Sequence, residues 1–156
     1  MPLVSATVDL PLLELASDSG DTFPVDNPAT GETIAQVPRM GAAETRRAIE
    51  RAEEALPKWR SMLAKDRARI LRRWADLMME NVEGLARLLT TEQGKPLAES
   101  RTEIAYAASF YEWFGEEGKR VYGDTIPTYG SDRRIVVTKD PVGVAAGITP
   151  WNFPAA

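Results

Sequence analysis

Cysteine and histidine are both absent from the 156 residues of this chain. Without cysteine there is no disulfide framework, no thiolate metal ligand and no sulfur nucleophile. Without histidine the commonest transition-metal ligand is missing as well, so no metal site is expected. No apolar run approaches the roughly 20 residues of a membrane span. The opening Met1–Leu10 carries no basic leader region, and Asp9 interrupts its apolar character. Neither a membrane span nor an export signal is expected, and a cytoplasmic location is the default. A basic face is lacking too: net charge is −4 and the arginines fall at helical spacing, which argues against a nucleic-acid partner.

What is present is the composition of an ordinary globular protein, 44% hydrophobic and 27% charged. A chain of this length holds one domain or part of a larger one. Residues 1–20 show no clear period and stand as an N-terminal arm. From Phe23 a short extended run meets Asn27-Pro28-Ala29-Thr30-Gly31-Glu32, six positions dense in turn formers, and the run from Thr33 to Val37 then reads as a returning strand. Ile49, Ala52, Leu56 and Trp59 recur at three- and four-residue steps, predicting a helix from near Ala42 that Pro57 should end or kink. Asp66 is a candidate N-cap for a second helix. Its apolar face would be Ile70, Trp74, Leu77 and Met78, with Arg69, Arg72 and Arg73 turned to solvent. Asn81 can interrupt this helix, and Val82, Leu85, Leu88 and Leu89 carry the stripe onward.

Gly94-Lys95-Pro96 reads as a helix stop with a capping cation, and no cofactor role is assigned to Lys95. A third helix follows, with Ile104, Ala107, Ala108, Tyr111 and Phe114 on one face, running toward Lys119 despite Gly115 and Gly118. Tyr106, Phe110, Tyr111 and Trp113 at helical spacing favour core packing over a substrate channel. Residues 123–140 read as an extended arm containing a strand around Ile135 and Val137, an aggregation-prone edge if left uncovered. Gly143 to Ile148 is a continuous small-apolar run between Pro141 and Pro150, the pattern of a parallel strand buried on both faces. Too few residues follow it for a crossover to a parallel neighbour, so the fold is expected to be cut in its middle.

Four segments in this order resemble the aldehyde dehydrogenase superfamily: the turn Asn27–Glu32, Glu92-Gln93-Gly94-Lys95-Pro96-Leu97-Ala98-Glu99, Pro141-Val142-Gly143-Val144, and Ile148-Thr149-Pro150-Trp151-Asn152-Phe153-Pro154. The stretches Tyr106–Phe114, Glu116–Arg120 and Tyr122–Pro127 look most like its succinate-semialdehyde dehydrogenase branch. The resemblance spans residues 23–156. It implies an α/β fold: helices and the first strand of a Rossmann-like dinucleotide-binding domain with an extended oligomerisation arm, truncated. Residues 21–122 would be the helical part of that domain, 123–140 an arm bridging subunits, and 141–156 its first strand and the start of the active-site loop.

The implied reaction is oxidation of an aldehyde, succinic semialdehyde foremost, with NADP or NAD. A cysteine thiolate adds to the carbonyl, a hydride leaves to the nicotinamide, and a glutamate activates water to hydrolyse the thioester. Asn152 matches the position whose amide donates to the carbonyl oxygen as it becomes negative. An asparagine suits that task because its NH₂ donates without titrating, whereas an aspartate would repel the oxyanion. Ile148, Thr149, Pro150, Trp151 and Asn152 would border the cofactor, and Phe153 could wall the aldehyde site. The nucleophile and the base are expected beyond Ala156, so the chain alone should be inactive, and the complete enzyme a homodimer or homotetramer. Two alternatives stand beside this: a non-enzymatic truncated paralogue that binds full-length subunits, and another branch such as betaine aldehyde dehydrogenase. An open reading frame continuing past Ala156 into a Cys and a Glu separates the first from the enzyme; an assay across aldehydes separates the second.

Overall fold

The computed structural model describes residues 17–156, so most of the expected N-terminal arm lies outside the described residues. Strands β1 (Thr22–Asp26) and β2 (Thr33–Pro38) pair antiparallel, with Phe23 opposite Val37 and Val25 opposite Ala35. The turn between them is set by Asn27. Its Oδ1 accepts the Ala29 N–H at 2.9 Å and its carbonyl accepts the Gly31 N–H at 2.8 Å, an Asx turn closing on a glycine.

Helix α1 (Ala42–Ser61) begins after Gly41, whose N–H donates to the Glu44 carboxylate at 2.9 Å. The other oxygen of Glu44 accepts the Asp18 N–H, and Asp18 in turn pairs with Arg47 at 2.6 Å, tying the N-terminal turn to the first turns of α1. Pro57 does not end this helix, which runs on to Ser61. Proline has no N–H to donate, so the Glu53 carbonyl goes without its helical donor, and this is tolerated because α1 is solvent-facing and water reaches that carbonyl.

Helix α2 (Ala64–Glu80) begins two residues ahead of the predicted cap: Leu63 occupies that position, and Asp66 lies inside the first turn, paired with Arg69 at 3.1 Å. An acid there opposes the positive end of the helix dipole rather than capping it. Asn81 does interrupt the run, closing α2 and opening α3 (Val82–Gln93). Helix α4 (Leu97–Glu117) then packs across both, and a 3₁₀ turn, Gly118–Arg120, ends it.

The packed face of α2 differs from the expected one. Ala68 and Ala75 are buried with Leu71 and Met78 half-buried, while Ile70, Trp74 and Leu77 stay exposed. Small side chains explain it. Ala108 and Gly115 lie on the surface of α4 that meets α2, so the two helices approach closely: a Cβ on Gly115 would lie 3.3 Å from the Ala68 carbonyl oxygen. The aromatic residues of α4 are displaced to its flanks for the same reason. Tyr106, Phe110, Trp113 and Phe114 are exposed, contrary to the core role expected for Tyr106, Phe110 and Trp113 and to the apolar-face place expected for Phe114. Tyr111 alone among these aromatics is half-buried, stacked on Trp74 at 4.4 Å. The arginines face solvent as read, Arg72 bridging to Glu112 at 2.7 Å and Arg73 to Glu80 at 2.8 Å.

Strands β3 (Asp124–Ile126) and β4 (Ile135–Val137) pair antiparallel with each other, and both are exposed along their length. Residues 141–150 form no strand among the described residues, and all but the half-buried Gly143 are exposed; the parallel neighbours that the reading of 143–148 as a central strand calls for are expected further along than Ala156. A strand is made by its neighbours' hydrogen bonds, and among the described residues none pairs with this one.

Candidate functional site: a clamped terminal loop

The site starts at a helix stop. Gly94 closes α3 in the left-handed conformation at φ +84°, its N–H donating to the Thr90 carbonyl at 2.9 Å. A Cβ here would meet Pro28 Cγ at 2.9 Å, so only glycine lets the first hairpin's turn lie against this corner. Pro96 then opens α4 in an extended conformation. Between the two, Lys95 is turned inward: its side chain is 9% exposed.

Glu103 lies on the buried face of α4 and its side chain is 1% exposed. The Lys95 ammonium pairs with Glu103 Oε2 and also donates to the backbone carbonyl of Asn152 at 2.7 Å. It lies 4.0 Å from the centroid of the Phe153 ring, a cation–π contact. The second carboxylate oxygen of Glu103 accepts the Ala155 N–H at 2.9 Å. Ala155 packs on the small core of Ala86, Leu89 and Ile104, and below the pair the hydroxyls of Thr90 and Ser100 hydrogen-bond at 2.8 Å. The loop itself turns where the Phe153 N–H donates to the Pro150 carbonyl at 3.3 Å.

A buried ion pair survives only when its remaining donors and acceptors are satisfied, because the loss of hydration is large. Here the loop's backbone supplies those partners. The clamp therefore works in both directions: the loop completes the solvation of Lys95 and Glu103, and the pair fixes the loop's backbone from Asn152 to Ala155.

Above the clamp the residues expected in the site face outward. Asn152 presents its side chain to solvent, Ile148 is fully exposed at 100% and Trp151 is 82% exposed. Thr149 and Pro150 are exposed as well, and Phe153 is partly covered by Lys95. The strip from Ile148 to Trp151 is uncharged, with one indole and one branched aliphatic side chain. It suits one wall of a site for a flat heteroaromatic ring, and the cations that would answer a dinucleotide's phosphates have to come from elsewhere. A shallow groove of about 640 Å³ lies at the other end of α4, lined by Phe110, Trp113, Phe114, Glu112, Glu116 and Arg120, with no residue of the loop in it. No group of three or more potential metal-binding carboxylates occurs among the described residues. Nor is any described helix long and apolar enough to cross a membrane.

Sequence reading singles out the loop and misses the two residues that hold it. The signal for Glu103 is a carboxylate at a stripe position, between Ser100 and Ile104-Ala107-Ala108, where a charge persists only with a partner. No local pattern points to Lys95 as that partner.

Residues 15–156 match the family model described as "Aldehyde dehydrogenase family". A glutarate-semialdehyde dehydrogenase of Pseudomonas aeruginosa is 68% identical over 140 residues, 90% of this chain and 29% of that protein. An NADP(+) succinate-semialdehyde dehydrogenase of Escherichia coli is 61% identical over 142 residues, 91% of this chain and 30% of that protein. Among solved structures, a succinate-semialdehyde dehydrogenase from Burkholderia pseudomallei superposes with a TM-score of 0.88 at 65% identity, covering 90% of this chain and 29% of that one. The chain thus spans about 30% of the length of the curated relatives it matches.

Proposed function

The chain belongs to the aldehyde dehydrogenase family, and on that premise we propose that it serves as part of an enzyme that oxidises a carboxylate-bearing aldehyde, succinic semialdehyde foremost, with NADP or NAD. Asn152 is the oxyanion donor. The observation that carries this reading is the exposed amide of Asn152 on a loop whose backbone is held from beneath by a buried ion pair. An oxyanion donor must be in place before charge develops, since a donor that has to reorganise loses most of its value.

As a thiolate adds to the aldehyde carbon, the carbonyl oxygen gains negative charge, and the Asn152 NH₂ donates to it. The amide stays neutral at every working pH, so the donor is available throughout. Ile148 to Trp151 form an uncharged wall for the cofactor, and Phe153 sits beside the reacting carbonyl. The bound dinucleotide supplies the hydride acceptor. The sequence has no cysteine to supply the thiolate, so on this reading the 156 residues alone turn over no substrate. In the complete protein residues 123–140 bridge subunits of a homodimer or homotetramer.

The test is a steady-state comparison in the full-length protein. Succinic and glutaric semialdehydes should exceed propionaldehyde and betaine aldehyde in kcat/KM, and Asn152→Ala should lower kcat by about 10²- to 10³-fold with little change in cofactor KM. Preference for betaine aldehyde would overturn the substrate assignment. Unchanged kcat in Asn152→Ala, with acyl formation rate-limiting, would remove the oxyanion role.

A further inference from the structure

We infer that Lys95 and Glu103 are positioning residues for the oxyanion donor: the buried pair sets the backbone of Asn152 and Ala155 and so aims the Asn152 amide. This rests on the reading of Asn152 given above. Three contacts converge from the same two side chains onto consecutive parts of the loop: Lys95 to the Asn152 carbonyl at 2.7 Å, Lys95 to the Phe153 ring at 4.0 Å, and Glu103 to the Ala155 N–H at 2.9 Å. Their origin is rigid, since Glu103 sits inside a 21-residue helix and Lys95 is pinned between a left-handed glycine and a proline. Neither side chain is aimed at solvent, where a substrate or cofactor would be met. Their action on the reaction therefore passes through the loop.

The alternative is that the pair only stabilises the corner between α3 and α4. Geometry distinguishes the two. A purely structural pair needs no contact with residues some 50 positions away, whereas here Asn152 and Ala155 supply the partners that complete it (separations of 57 and 52). A displacement of the amide by even one ångström would matter, because misplacing a reacting group by that distance can lower a rate about 10²-fold.

The experiment uses the full-length protein with three variants, Lys95→Met, the double variant Lys95→Met/Glu103→Leu, and Asn152→Ala, alone and combined with each of the others. The double variant removes both buried charges together, so it folds even where Lys95→Met leaves Glu103 stranded. Two readouts are taken on folded protein: hydrogen exchange at the Phe153 and Ala155 amides, and kcat beside KM for the cofactor. Expected are faster exchange at both amides, kcat lowered about 10- to 100-fold with cofactor KM within about twofold, and combined variants that lose no more kcat than Asn152→Ala does alone. Unchanged exchange at both amides overturns the inference whatever Asn152→Ala does, and so do losses in kcat that simply multiply. Should Asn152→Ala itself leave kcat unchanged, the oxyanion assignment falls, and with it the catalytic half of this inference, while the exchange data still decide whether the pair holds the loop.

Discussion

At the scale of single residues, the chain's most consequential side chains are two charges placed where charges are costly. Lys95 and Glu103 are buried, and removing one partner leaves the other uncompensated, which typically costs about 3–5 kcal/mol. Glu103→Ala is therefore expected to lower the urea midpoint more than Glu83→Ala, whose carboxylate pairs with Arg101 at 2.7 Å but in solvent. Equal losses would show that the inner pair is not buried in solution. Glycine at 94 is a second case. Gly94→Ala carries the left-handed strain of about 1–2 kcal/mol and in addition drives a methyl to within 2.9 Å of Pro28. Gly31→Ala has similar strain, at φ +75°, with nothing within 4 Å. Denaturation of the two variants should separate the terms, Gly94→Ala falling below Gly31→Ala. The motif residues Asn152 and Trp151 are legible in sequence because they stand in one short run; Lys95 is not, because its role depends on a loop more than fifty residues away.

At the scale of elements, punctuation is easier to read than packing. Asn27 with Gly31, Asn81 and Gly94 mark the turns and helix ends where local chemistry demands them. Which face of a helix is covered is a different matter. On α2 the larger residues Ile70, Trp74 and Leu77 suggest the core, yet the alanines are buried, because close approach to Gly115 of α4 needs small side chains. The interface is thus sensitive to added volume. Ala75→Leu should cost about 1–3 kcal/mol by overpacking, whereas Ile70→Ala, on the exposed side, should stay within roughly 1 kcal/mol. Thermal melts followed in the near ultraviolet, where Trp74 on Tyr111 reports the α2–α4 contact, measure both. The opposite ranking would mean that the Ile70 face is the one that packs.

At the scale of the whole molecule, the missing histidine has a measurable consequence. With neither histidine nor cysteine, no side chain of ordinary pKa titrates between about pH 5.5 and 8, and unfolding free energy should be flat across that window. Below it the carboxylates take over. Hydrogen bonding from the Asp18 backbone holds Glu44 below its ordinary value, Arg101 does the same for Glu83, Lys119 for Glu116 and Arg133 for Asp132. A depressed folded pKa contributes stability above the unfolded value, 4.5 for the glutamates, and that contribution is lost as pH falls through the lower folded value. Urea titrations from pH 8 to 3 should therefore show a plateau and then an acid decline, reduced in size by salt because these groups are exposed. A slope between pH 6 and 7.5 would contradict this. The amino-acid sequence by itself determined the family motifs, the turns, the helix boundaries to within a few residues and the chemistry available to Asn152, since each rests on residues close together in the chain. Tertiary structure alone decided that on α2 Ala68 and Ala75 rather than Ile70 and Trp74 are buried, that residues 143–148 stay unpaired in this chain, and that Lys95 and Glu103 meet beneath the loop. Those outcomes depend on which distant groups arrive at the same place, and a strand or an ion pair has no existence until its partner is there.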